Sequence, residues 1–214
     1  MSWNIKKILT PVEIGKVKIK NRVAMAPMAI RGLLEPNGIP GPRAIDFYLE
    51  RARGGVGLII TTLFKVENEI ESLMPGLPIV SPDLIPPLTE IAETIHAFDV
   101  KIFCQLTAGF GRVARPAILR RQPVSASAIP NYWQPEILCR AITKEEVERL
   151  VKCFGTAAQI LATAGIDGIE LHGHEGYLFD QFTTAIWNKR EDRYGGSLLE
   201  RLRLPVEVLN EIKS

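Results

Sequence analysis

No apolar run in this sequence approaches the ~20 residues that a membrane-spanning helix requires, so no membrane partner is expected. Charge of one sign is lacking too: 26 lysines and arginines against 24 acids leave a formal net charge of +2. The basic residues are spread along the chain rather than gathered in a patch, which argues against nucleic acid as a partner. Cysteine is scarce. Cys104, Cys139 and Cys153 are odd in number and have no CxxC spacing, which excludes a disulfide framework, a zinc site or a cluster site within the chain. Each reads as a small core residue, and reduced thiols point to the cytoplasm. The N-terminus, MSWNIKKILTPVEIG, has no long apolar stretch and no small-residue cleavage motif, so no signal peptide is expected.

What is present suits one folded domain over residues 1–214, because 46% hydrophobic and 23% charged residues fit neither disorder nor a fibrous class. PVEIGKVKIKN (Pro11 to Asn21) alternates around Gly15 and predicts a β-hairpin. Val23 to Ala26 is a short strand ending at Pro27. Pro42 suits the first turn of a helix carrying Ile45, Leu49 and Ala52, closed by Gly54 and Gly55. VGLIITT (Val56 to Thr62) is a strand buried on both faces, and a proline-rich loop follows it. Leu84, Leu88, Ile91, Ala92 and Ile95 share a helical face, and KIFCQL (Lys101 to Leu106) is a third strand delivering Gln105. His96, on the helix between them, reads as a surface or half-buried histidine. After a long loop, TKEE at Thr143 is a capping box opening a long helix that Gly165 ends. A last amphipathic helix spans Ser197 to Lys213, with Pro205 a kink or break.

A hairpin followed by four strand-helix units implies a parallel sheet with right-handed crossovers. A doubly wound sheet would carry a glycine fingerprint after its first strand, and AMAPMAIRG is not G-x-G-x-x-G. A (β/α)8 TIM-type barrel takes ~250 residues for eight units, so the chain reads as the first four βα units of one, plus the hairpin.

Chemistry gathers in GIDGIELHGHEGYLFDQF, where a short strand from Gly165 to Leu171 ends in His172, His174, Glu175 and Tyr177. Two imidazoles, a carboxylate and a phenol within six residues, at the mouth of a parallel strand, mark an active-site position. A polar solvated loop is the plain alternative. A metal-dependent hydrolase barrel, with His172, His174 and Glu175 as ligands, is another.

Four strings in register, KIKNRVAMAPM, GGVGLIITT, QLTAGFGR and HGHEGYLFDQF with RYGGS, resemble the flavin-dependent Old Yellow Enzyme family, and within it the bacterial 2-enoate and 2,4-dienoyl-CoA reductases. The resemblance implies FMN across the barrel mouth, reduced by NADH or NADPH and reoxidised by hydride transfer to an activated C=C bond of an enoate or enoyl thioester. It implies that the backbone of Ala26, Pro27 and Met28 passes along the isoalloxazine with Ala29 near its C4 carbonyl. Thr62 would face the ring edge, and Gln105 would offer donor and acceptor to the pyrimidine. His172 would donate to the flavin N1–C2 region or to a substrate carbonyl. The family's second site residue falls on Glu175 by spacing or on His174 with a one-residue gap, and an ionised Glu175 could not donate. Tyr177 would deliver the proton to the α-carbon.

Ala29, Thr62 and QLTAGFGR depart from the residues usual in the family, which leaves substrate and flavin potential open. The family's strand-five arginine and phosphate-binding amides fall beyond four units, so the resemblance implies an incomplete FMN site in this chain. Longer members add an iron–sulfur cluster and an FAD-type nucleotide domain. The expected partner is a small unsaturated carbonyl compound. Association between copies of the chain, or a non-catalytic half-barrel that pairs with another chain through its open sheet edge, stays open.

Overall fold

The computed structural model describes residues 5–36, 38–72 and 81–214. Residues 73–80, within the expected proline-rich loop, lie outside that set. The chain divides into two compact units, one within 1–64, 81–105 and 160–170 and the other within 65–80, 106–159 and 171–214.

In the first unit, β1 (Val12–Ile14) and β2 (Val17–Ile19) form the expected hairpin, with Val12 opposite Ile19. Gly15 makes the turn at a φ of 58°, in the left-handed region that glycine enters freely. Ile19 clusters with Leu58 and Phe103, so the hairpin supplies apolar cover to the strands that follow. β3 (Ala24–Met25) pairs in parallel with β4 (Leu58–Lys65), Ala24 beside Leu58. Between them α1 (Pro42–Arg53) starts at Pro42, whose missing N–H costs nothing in a first turn. α2 (Ile85–His96) buries Leu88, Ile91, Ala92 and Ile95, the face read from the sequence, and leads to β5 (Lys101–Thr107). Strand β4 begins two residues later than its apolar pattern suggests. Gly57 carries the chain past Asn21, where an added Cβ would lie 2.6 Å from the Asn21 carbonyl oxygen.

The second unit opens out from the long loop, where β6 (Val124–Ser125) and β7 (Arg140–Ala141) pair in parallel. The capping box forms as expected: the Glu146 N–H donates to Thr143 Oγ1 at 3.2 Å and the Thr143 N–H to Glu146 Oε2 at 2.9 Å. It starts α3 (Lys144–Thr163), which buries Val147, Leu150, Phe154 and Leu161. Beyond β8 (Gly168–Leu171) come α4 (Leu178–Thr183), α5 (Leu198–Arg201) and α6 (Arg203–Lys213). The last helix breaks at Leu202 and not at Pro205. Pro205 falls in the first turn of α6, where it interrupts no hydrogen bond. The RYGGS segment is a structural turn: Arg190 binds Asp192 at 2.6 and 2.9 Å and the Ala126 carbonyl at 2.9 Å, while Asn188 Nδ2 donates to the carbonyls of Phe182 and Tyr194.

The main sheet has the order β3-β4-β5-β8. Each strand-helix unit adds its strand beside the previous one with no reversal, which is the winding of a barrel and not of a doubly wound sheet. At the start of β8, Asp167 accepts from the Ile102 N–H at 2.9 Å, from Lys101 Nζ at 3.0 Å and pairs with His96 at 2.7 Å. His96 is therefore a strand anchor. Burial alone would raise the Asp167 carboxyl pKa, but these donors outweigh it and hold the group below its usual range. Gly168 faces Phe103 so closely that an added Cβ would stand 2.7 Å from the ring. Gly168→Ala should lower stability by about 1–3 kcal/mol, because the ring must leave its packed position. An unchanged urea midpoint would show that the ring shifts freely. Among the described residues no helix is long and apolar enough to cross a membrane.

Candidate active site

His172 follows directly on β8, and its N–H donates to the Leu106 carbonyl at 2.9 Å, so the strand pairing fixes where the imidazole leaves the sheet. The ring is 6% exposed. It lies between two others, stacked on His174 at 4.5 Å and 17° and on Tyr177 at 4.6 Å and 18°. Phe110 and Tyr177 meet in a T-shaped contact at 4.7 Å and 82°. The chain doubles back through Glu175 and Gly176, at φ values of 61° and 71°. A left-handed glutamate is uncommon. It brings its carboxylate to 3.7 Å from His172 Nε2, and ligand atoms of His172, His174 and Glu175 all fall within 4.8 Å of one another. Four residues adjacent in sequence thus form one side-chain cluster.

The remaining expected site residues belong to the first unit. Past β3 the chain leaves regular structure, with Ala26, Met28 and Ala29 exposed and Pro27 half-buried; Met28 is 55% exposed. Thr62 is buried in β4, and its N–H donates to the Tyr48 hydroxyl at 2.8 Å. Burial pushes the Tyr48 phenol well above its ordinary pKa. Gln105 is buried on β5, and its Nε2 donates to Glu170 Oε1 of β8 at 2.7 Å. The cysteines are packing groups as read: burial pushes Cys104 up to about 12 and Cys139 up to about 11.

Three residues that hold the cluster escape a reading of the sequence. Glu71 is 2% exposed, and its carboxylate accepts the Phe110 N–H at 2.6 and 3.0 Å and the Gly111 N–H at 3.4 Å. Gly109, at φ 121°, leaves the space this carboxylate fills. Gln181, fully buried in α4, accepts the Arg112 N–H at 3.1 Å and the Ser125 hydroxyl at 2.8 Å. Its Nε2 donates to the carbonyls of Gly176 at 2.5 Å and Phe110 at 3.1 Å. One amide therefore ties the turn that carries Phe110 and Arg112 to the turn that carries Tyr177. Glu170, the partner of Gln105 on β5, was not singled out by the sequence either. A glutamine among Leu178, Phe179 and Phe182 on an apolar helix face, and three glutamates within five residues after a strand, are the signals that could have pointed to Gln181 and Glu71.

Parallel strands added in chain order, with ionisable and aromatic groups gathered where β8 ends, define a (β/α)-barrel enzyme fold of which this chain carries the first four units. A family model described as NADH:flavin oxidoreductase / NADH oxidase matches residues 7–214, and the chain belongs to that family. It is 47% identical over 218 residues to the cinnamate reductase of Clostridium sporogenes, which takes in 100% of this chain and 33% of that protein. Solved structures give the same fold. A 2-naphthoyl-CoA reductase superposes with a TM-score of 0.84 at 26% identity, over 97% of this chain and 33% of that one. The old yellow enzyme homologue from Zymomonas mobilis does so with a TM-score of 0.82 at 29% identity, over 96% and 59%. The chain spans about a third of the length of the cinnamate reductase it matches.

Proposed function

We propose that residues 1–214 are the N-terminal half of an FMN-binding barrel domain, working as an ene-reductase that moves hydride from NADH or NADPH to an activated C=C bond of an enoate or enoyl thioester. The observation that carries this reading is the stack of His172 between His174 and Tyr177, which sets an imidazole donor beside a phenol at the end of a barrel strand. The donor set of the first unit fits a flavin. Gln105 spends one amide hydrogen on Glu170, and its carbonyl oxygen accepts no bond from the described residues, which suits a pyrimidine N–H. The small, exposed side chains of Ala26 and Ala29 leave room for a planar ring along the backbone. When bound, flavin supplies the hydride chemistry. The chain's own residues do the rest: His172 donates to a developing negative oxygen, and Tyr177 holds a proton for the α-carbon. Gln105→Leu should weaken FMN binding by about 1–3 kcal/mol, measured by quenching of flavin fluorescence in the full-length protein. Unchanged affinity would remove Gln105 from the site.

A second reading rests on the 4.8 Å grouping of His172, His174 and Glu175, which resembles a donor set for a metal-assisted hydrolase. Stoichiometric zinc in the purified protein without flavin absorbance would favour it, and the visible spectrum of bound flavin would favour the first.

A further inference from the structure

A cavity of about 440 Å³ lies beside Tyr177 and Glu175, and its other walls include Arg112, Tyr132, Trp133 and Trp187. Arg112 is the cation among the residues lining it. Its guanidinium carbon sits 5.6 Å from the Tyr132 ring centroid and 5.4 Å from that of Trp187, and its Nε donates to the Pro130 carbonyl at 3.3 Å. Among the described residues it pairs with no carboxylate. Glu175 shares the cavity, and its carboxylate lies 3.7 Å from His172 Nε2. Arg115 stands over the Trp133 ring at 4.6 Å.

We infer that this cavity receives an aryl-substituted α,β-unsaturated acid as the free carboxylate, held by Arg112, and not as a thioester. The inference rests on the ene-reductase reading and narrows its substrate. Aromatic walls select a planar, apolar body, while a guanidinium held by rings and a carbonyl is preset to grip a carboxylate through two parallel bonds. The chemistry gives the cation a purpose. A conjugated carboxylate resists hydride because its negative charge is shared with the double bond, and pairing with Arg112 draws that charge away. The hydride pair then forms the Cβ–H bond and the π pair takes the Tyr177 proton at Cα. The carboxylate is unchanged, Tyr177 recovers its proton from water, and the reductant is the reduced flavin of the proposed function. A thioester carries no charge for Arg112 to neutralise.

Calorimetric titration of the full-length protein with trans-cinnamate and with neutral cinnamamide tests the inference without turnover. The wild type should bind cinnamate more tightly than cinnamamide. Arg112→Met should weaken cinnamate by about tenfold or more and leave cinnamamide within about twofold, while Arg112→Lys, which keeps a charge and a long stem, should fall between. Equal weakening of both ligands in the Met variant would make Arg112 a wall and overturn the inference, as would a wild type that prefers cinnamamide or an Arg112→Lys variant no better than the Met one. Failure of the parent reading looks different: a protein that binds cinnamate through Arg112 but reduces neither cinnamate nor a neutral enone would end the ene-reductase assignment and leave the carboxylate site standing.

Discussion

Tyr177→Phe should leave FMN binding and flavin reduction intact and slow alkene reduction by about 10²–10⁴. The substitution retains the ring contacts that build the cluster, the stack on His172 at 4.6 Å and the perpendicular contact with Phe110 at 4.7 Å. Phenylalanine keeps both. What it loses is the phenolic O–H, the proton donor of the proposed reaction. Stopped-flow measurement of the two half-reactions separates the outcomes. Wild-type alkene reduction in the variant would assign the proton to water or another group, and slowing of both half-reactions together would show that the hydroxyl holds the site's structure.

Glu71→Gln should remove a pH dependence of stability. Burial pushes the Glu71 carboxyl up from 4.5 to about 7, against the opposing pull of Lys65 and the amide donors of Phe110 and Gly111, with Glu67 as the like charge nearby. The native state therefore holds this proton more tightly than the unfolded chain does. The resulting stabilisation is fully present below about pH 4.5 and is lost as pH rises to about 7. A shift of that size corresponds to about 3 kcal/mol across the window. Urea unfolding of wild type and variant, compared by difference at pH values through it, isolates this group from acids such as Asp167 and Asp192, whose native pKa values are lowered and whose contributions run the other way. A difference that does not change between pH 4.5 and 7 would mean that Glu71 ionises as readily in the native protein as outside it.

The order of elements was legible because each rests on local rules: the alternation around Gly15, proline at the start of α1, the Thr143 capping box, the apolar face of α2. The four chemical residues after β8 were legible as a group because they are neighbours in sequence and only the left-handed turn at Glu175 and Gly176 was needed to gather them. The supports were not. Glu71 acts on Phe110 from 39 residues away, and Gln181 on Phe110 from 71, and no local pattern states which distant amide a buried carboxylate or carboxamide will meet. Pro205 misled for the opposite reason, since a proline breaks a helix in its interior and fits one in its first turn, and the two cases differ by the placement of a start that Leu202 decides.

Gln181 has a consequence for how such a sequence can change over generations. Its one side chain is committed to four groups, three on the two turns and the Ser125 hydroxyl of β6, so neither turn can be lengthened or rebuilt alone. A residue inserted among Thr107 to Arg112 would carry the Arg112 amide and the Phe110 carbonyl off the carboxamide, and the grip on Gly176 beneath Tyr177 would be lost with them. Variation in substrate is therefore open to the outer walls, at positions such as Tyr132 and Trp133, while the two turns and the glutamine must be inherited as one block.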